Sequence, residues 1–371
     1  MASIEYQILL AGGHVDPDEE QQARLAELMA ADFDQDHLVR LARKEGMSGL
    51  LYKSLKKAGI LGFLGHRQMQ QLQSFYYRTV QHNLQVVQDL KQILQNSNEK
   101  GIQVVLLQGV ALLGKGYKDI GLRPLTDIDL WVLPEKRDVF DSLLQQLGYQ
   151  PDPVYPSTFK KDPIIIDINS HILWADRIKS RERLLAKNQH VIHDSIEVFS
   201  FEGVPAGCLN AADQVLYLSL HAFKHNASRL VWLVDIKHLI TRWKTADWKA
   251  LFERAAEMGQ VNIVYDMLYL IAHLFDLKPP PEIETMAAEH GLTWLERVIL
   301  DKRADGRPLP NWAPLLLFTA GKNLKTRAHF VFETLFPRPE ILRQVFANSA
   351  NLNVWHLYLK RVRQLVSQVR L

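Results

Sequence analysis

Apolar residues recur at every third or fourth position from Asp18 to about Phe33 and again from His37 to about Lys57, which predicts helices. The stretch "EGMSG" punctuates the second of these. A third segment, from Arg67 to Gly101, has no proline, keeps leucine or valine at helical spacing and ends at a glycine, as one long helix should. Residues 1–100 therefore read as a helical region.

The period then changes. "IQVVLL", "LTDIDLWVL" and "PIIIDIN" are short runs rich in β-branched and leucine residues, with a helix expected over "EKRDVFDSLLQQLGY" between the last two. A hairpin is expected within "HVIHDSIEVFSFEGVPAGCL". Residues 101–209 thus form a small α+β unit with a mixed sheet. Helical spacing returns over 210–371, in "AADQVLYLSLHAFKHN", "RLVWLVDIKHLITRW", "DWKALFERAAEMGQ" and "VNIVYDMLYLIAHLFD", and continues beyond the proline-rich "KPPPEI". In the final helix Trp355, Tyr358, Val362, Leu365 and Val369 share one face, expected to pack on the body. The fold class is α+β and predominantly helical, with helical regions flanking the mixed unit.

Composition narrows the chemistry. With 47% hydrophobic and 23% charged residues the chain is an ordinary globular protein, and its formal charge of +3 neither requires nor excludes a polyanion. A single cysteine, Cys208, forms no internal disulfide and no thiolate cluster, which points away from zinc and toward a reducing, cytoplasmic setting. The start lacks a basic segment followed by a sustained apolar run, so no secretion signal is expected. "IVYDMLYLIAHLF" is interrupted by Asp266 and His273 and falls short of the roughly 20 residues of a membrane span.

The second strand carries the chemistry. Alternation sends Ile128, Leu130 and Val132 to one face and Asp127, Asp129 and Trp131 to the other. Two neighbouring carboxylates repel, and one is driven toward protonation unless a cation or donor sits between them. Metal-assisted nucleotidyl transfer needs such acids around Mg²⁺ or Mn²⁺, which prefer hard oxygen ligands and share substrate phosphates. Asp167 in "IIIDIN" is the natural third member. Upstream, Gly109 lets a triphosphate approach backbone N–H groups near a helix N-terminus. Gln108, Gly109, Lys115, Arg123 and Thr126 make up the candidate nucleotide-binding set, with Lys115 and Arg123 expected to neutralise phosphate.

The order of strand, glycine turn, helix, basic loop, Asp-x-Asp strand, helix and Asp strand resembles the polymerase-beta-type nucleotidyltransferase superfamily. "LLQGVALL" and "GLRPLTDIDLWV" are similar in particular to a bacterial group of uncharacterised nucleotidyltransferase family proteins. In that group a Lys-Gly turn leads to an Arg-Pro-x-x-Asp-x-Asp strand, a later Asp strand, and a His-rich helix before a Trp-Leu-x-Asp stretch. Those positions here are Gln108-Gly109, Arg123 to Asp129, Asp167 and "HAFKHNASRLVWLVD", so the resemblance covers about residues 70–240. It implies an NTP substrate, both metals on Asp127 and Asp129, Asp167 as ligand or base, and Gly109 along the triphosphate. The implied reaction moves an NMP to a hydroxyl or phosphate of an acceptor, whether small molecule, peptide or RNA.

Three positions depart from the pattern. Gln108 replaces a lysine, Val110 stands where the wider superfamily has serine, and Asn169 stands where many relatives have histidine. The first two remove triphosphate contacts, which leaves a second reading: a non-catalytic module that kept the fold and lost the nucleotide. A glycosyltransferase reading of Asp-x-Asp fits poorly, because alternating strands and helices are missing from the second half. His221, Lys224 and His225 share a helix face as a secondary candidate patch, facing either the nucleotide or the packed interior. Ala222 stands where a zinc protease needs glutamate. Arg229 and Asp235 are expected to stabilise helix packing. From Lys322 onward nine basic residues face two acidic ones, a surface for a polyanion or a solvated helix face.

Overall fold

The computed structural model describes residues 2–171, 174, 178–346 and 352–366. Five helices come first: α1 (Ile4–Ala11), α2 (Glu19–Met29), α3 (Gln35–Lys44), α4 (Ser48–Lys57) and α5 (His66–Glu99). Local chemistry sets their ends. Asp18 and Gln21 form a reciprocal capping box on α2, and Asp34 caps α3. The stretch "EGMSG" does more than punctuate: Gly46, at φ +75°, turns the chain between α3 and α4. Helix α1 went unforeseen because eight residues are too few to display a clear period.

Among the described residues the strands lie in the middle of the chain: β1 (Val105–Leu106), β2 (Ile128–Trp131), β3 (Gln150–Pro151), β4 (Thr158–Lys161), β5 (Ile164–Asn169), β6 (Glu197–Phe201) and β7 (Val204–Cys208). Between them run α6 (Gln108–Lys115), α7 (Arg137–Gln146) and the short α8 (His190–His193). The sheet order is β3-β4-β5-β2-β1-β7-β6. Pairs β2–β5 and β1–β7 are parallel and the rest antiparallel, so the sheet is mixed. Strand β2 is buried along its length, with Ile128 and Leu130 fully inaccessible. Helices cover it, as a parallel pair at the centre of a sheet requires.

Strands β3 and β4 escaped the sequence reading because "QP" is exposed and "TFKK" has a single apolar residue. The expected hairpin is β6–β7, turned at Glu202 and Gly203, both at positive φ as a two-residue hairpin loop demands. Its supposed beginning, "HVIH", is instead a turn of helix.

The remaining helices are α9 (Ala211–Lys224), α10 (Leu230–Ile240), α11 (Thr245–Glu257), α12 (Val261–Phe275), α13 (Pro281–His290), α14 (Trp294–Ala304), α15 (Ala313–Leu317), α16 (Leu324–Leu335), α17 (Pro339–Val345) and α18 (Val354–Val366). Among the described residues no helix is long and apolar enough to cross a membrane. The stripe expected on α18 is corrected: Leu357 is the buried residue, whereas Trp355 is 76% exposed. Val369 and Arg370 lie outside the described residues, as does the side chain of Leu365.

Candidate active site

Strands β2 and β5 run parallel with Asp129 opposite Asp167, and Asp127 stands just ahead of β2. Neighbouring strands lie about 4.8 Å apart, so this register brings the two backbones as close as a sheet permits. All three acids line one cleft of about 570 Å³. Asp129 is 9% exposed. Burial, together with the charges of Asp127 and Asp167, pushes its carboxyl well above the ordinary carboxylate range. Asn169 Nδ2 donates to Asp129 Oδ1 at 3.3 Å, Thr158 Oγ1 donates to Asp167, and Thr126 Oγ1 donates to Asp127 at 2.9 Å. Each acid thus accepts a hydrogen bond from a neighbouring side chain.

This donor set suits a hard divalent cation, because a positive charge among the three would relieve the repulsion that burdens Asp129. Among the described residues no three His, Cys, Asp or Glu side chains are already drawn into a closed metal cage. A closed cage is not what Mg²⁺ uses: it binds through one or two carboxylates and completes its shell with water and substrate phosphate.

The turn from β1 into α6 forms the adjoining wall. Leu107 N donates to Asp129 O at 3.0 Å, which ties the start of α6 to the acidic strand. No side chain caps α6. Gln108, its first residue, sits at φ +50°, a left-handed conformation uncommon outside glycine and asparagine. Gly109 is required by contact. A Cβ there would lie 2.5 Å from Leu125 Cδ2 and 2.9 Å from Arg123 Nη1. Gln108, Gly109, Arg123 and Thr126 all line the cleft.

Two expectations for the cations need correction. Lys115 lies at the other end of α6, away from the cleft, where its Nζ meets Glu197 at 3.0 Å and Cys208 Sγ at 2.9 Å. An eight-residue helix separates it from Gln108 by two turns. Arg123 reaches the cleft wall, but its guanidinium is committed. Nε and Nη2 pair with Asp235, Nη2 to Oδ2 at 2.9 Å, while Nη1 donates to Pro124 O at 2.8 Å. Tyr117 also donates to Asp235, at 2.7 Å. Asp235 therefore does stabilise packing. Arg229 lines the cleft half-buried, and among the described residues its side chain has no hydrogen-bond or ion-pair partner, although Asp127 and Glu45 act on it electrostatically.

The secondary patch on α9 forms the opposite wall. His221, Lys224 and His225 all line the cleft. His221 is buried and its Nδ1 has no partner; burial first, then His225 and Lys224, hold its pKa well below the usual imidazole range. Trp232 meets the His221 ring edge-on at 5.1 Å, and Lys224 Nζ stands 3.6 Å above the Trp174 ring. Trp174, Trp232, Tyr155 and Thr158 are cleft residues that sequence reasoning missed. Isolated aromatics and a threonine in a polar strand carry no spacing signal.

No curated protein matches the chain. Among solved structures, the antibiotic-resistance factor ANT(2'')-Ia is similar at 16% identity over 47% of this chain and 91% of its own, with a TM-score of 0.34. The family model described as "Uncharacterised nucleotidyltransferase" matches residues 31–276, which is more than half of the chain and takes in the cleft from Gln108 through α10. The chain belongs to this uncharacterised nucleotidyltransferase family.

Proposed function

We propose that the chain is a divalent-metal-dependent nucleotidyltransferase that moves an NMP from an NTP to a hydroxyl or phosphate of an acceptor. The observation that carries this reading is the register of Asp129 against Asp167 beside Asp127, at one end of a cleft whose adjoining wall is an uncapped helix start.

In this scheme Asp127 and Asp129 hold Mg²⁺ or Mn²⁺, and Asp167 binds the same ion or accepts the acceptor's proton. When bound, the ion supplies Lewis-acid stabilisation of charge on the transferring phosphoryl group. The backbone at Gln108 and Gly109 faces the triphosphate, where free N–H groups and the helix dipole favour anions. Arg123 is neutralised by Asp235, whereas Arg229 and Lys224 also line the cleft and place positive charge where the phosphates would sit. The acceptor oxygen forms a bond to the α-phosphorus, the bond to the β-phosphate oxygen breaks, and pyrophosphate departs with those electrons. Thr158 orients Asp167 for the proton transfer, and Asn169 does the same for Asp129.

The test is incubation of the purified chain with each α-labelled NTP and Mg²⁺ or Mn²⁺, followed by detection of pyrophosphate and labelled product. Asp129→Asn turnover equal to that of the unmodified chain would refute the scheme. The second reading, a non-catalytic binding module, is favoured by Val110, which is buried in the core and offers no hydroxyl to a phosphate. It predicts no metal-dependent heat when NTP is titrated into the protein.

A further inference from the structure

A second pocket, of about 290 Å³, lies between the N-terminal helices and the loop that leads into Asp127. Its walls carry Arg43 from the last turn of α3, Arg78 and His82 from one face of α5, and Arg229 from the start of α10. None of its lining residues is acidic. Among the described residues, the side chains of Arg43, Arg78 and Arg229 form no ion pair and no hydrogen bond, although the chain pairs many of its other basic residues. Arg43 rests over the Phe75 ring at 5.2 Å, which holds its guanidinium at the rim.

Three guanidinium groups line one pocket that has no acidic residue in its walls, and although Asp127 and Glu45 act on Arg229 from outside it, an anion between the three is favoured. The floor of the pocket adds donors. Helix α4 begins there at Ser48 and Gly49 with no side-chain cap, so its first N–H groups have no partner within the helix. Ser48 is more than nine-tenths buried and its hydroxyl has no partner. Burial holds His82 below the usual imidazole range, which leaves it a neutral N–H donor near neutral pH.

Close contacts built this floor. A Cβ on Gly49 would fall 2.1 Å from Gly121 O, and Asn83 donates to Ile120 O and Arg123 O at 2.7 and 2.8 Å. These contacts fasten the loop that supplies the remaining wall, Pro124 and Leu125.

We infer that this pocket binds a phosphoryl dianion, distinct from the carboxylate cleft and joined to it by the shared residues Leu125 and Arg229. A carboxylate has two oxygens and one charge and cannot engage three forked guanidinium groups, whereas a phosphoryl group offers three oxygens and up to two charges. The phosphoryl group belongs either to a separate phosphate-bearing molecule or to the far end of a nucleotide seated in the cleft. The inference rests on the arginines and α4, and it stands whether or not the cleft is catalytic.

The experiment is calorimetric titration of inorganic phosphate into the full chain with EDTA at constant ionic strength. We expect saturable binding at one site, weakened at least ~10-fold in the Arg43→Gln/Arg78→Gln double variant, since each lost charge-assisted bond removes about that factor. Both arginines are exposed, so the fold is expected to persist, as a thermal melt will show; the single variant Arg78→Gln, with a smaller loss, serves as a second measurement. A repeat with NTP and Mg²⁺ present separates the sources. Unchanged phosphate affinity identifies a separate ligand, and competition identifies the nucleotide's own tail. Absence of saturable binding, or equal affinity in the variants, overturns the inference.

Discussion

The buried pair of Arg123 and Asp235 gives the sharpest test of how the loop before Asp127 is held. Side-chain exposures of 6% and 0% leave the pair little solvent screening, and Asp235 is further engaged by Tyr117. Replacing Arg123 by Met strands a buried carboxylate, and replacing Asp235 by Leu strands a buried guanidinium; each should cost about 3–5 kcal/mol. Replacing both removes both desolvation penalties, so the double variant should lose far less than the sum, with a coupling energy near 3 kcal/mol. The measurement is the urea midpoint of the four proteins at matched slope. If Arg123 instead served to grip phosphate, its loss would weaken nucleotide binding and leave stability nearly intact. Additive losses, with coupling inside ~0.5 kcal/mol, would refute the argument.

Other outcomes follow from single contacts. Gly109→Ala should destabilise by about 1–3 kcal/mol, because the new methyl overlaps Leu125 and the Arg123 guanidinium; a thermal melt at or above the unmodified value would count against it. Lys115→Met should leave metal-dependent nucleotide heat unchanged, since Lys115 lies outside the cleft, and a tenfold loss of affinity would contradict that placement. Burial lowers Lys237 to about 7, beside His14 at 2.8 Å. The unfolded chain then holds more protons between pH 7 and about 10.4, so this group makes stability rise with pH across that window. Lys237→Met should therefore raise stability at pH 7 and flatten the rise, and parallel stability–pH curves for the two proteins would show the expectation to be mistaken.

The acidic part of the candidate site is legible in the sequence. The Asp-x-Asp alternation and the apolar run around Asp167 placed three acids on strands, and the strands proved to be neighbours in register. Side-chain period is enough for this, because a strand with one wrong face loses its core contacts. The cations were not legible. Lys115 and Arg123 sit at equally plausible places in the chain, yet one pairs with Glu197 and the other with Asp235, residues 82 and 112 positions away. Partners so distant are chosen by packing rather than by local pattern. The place of Arg229 in the cleft was hidden for the converse reason, since nothing in "SRLVW" reveals that, among the described residues, its side chain closes no ion pair. Strands β3, at the sheet edge, and β4, next to it, were missed because short polar strands lack the apolar alternation that marks half-buried ones.

The parallel pairing of β2 and β5 also sets what the chain can tolerate by way of length change. The segment between them, with its exposed turn at Pro134–Lys136, can gain or lose a residue there as surface loops do, because the turn lies outside the cleft and its ends need only meet the flanking elements. A deletion of one residue inside "IIID" is another matter: every side chain beyond it would turn to the reverse side of the sheet, sending Asp167 into the apolar layer and an isoleucine into the cleft. Variation in this protein should accordingly accumulate in the connector and halt abruptly at the strand.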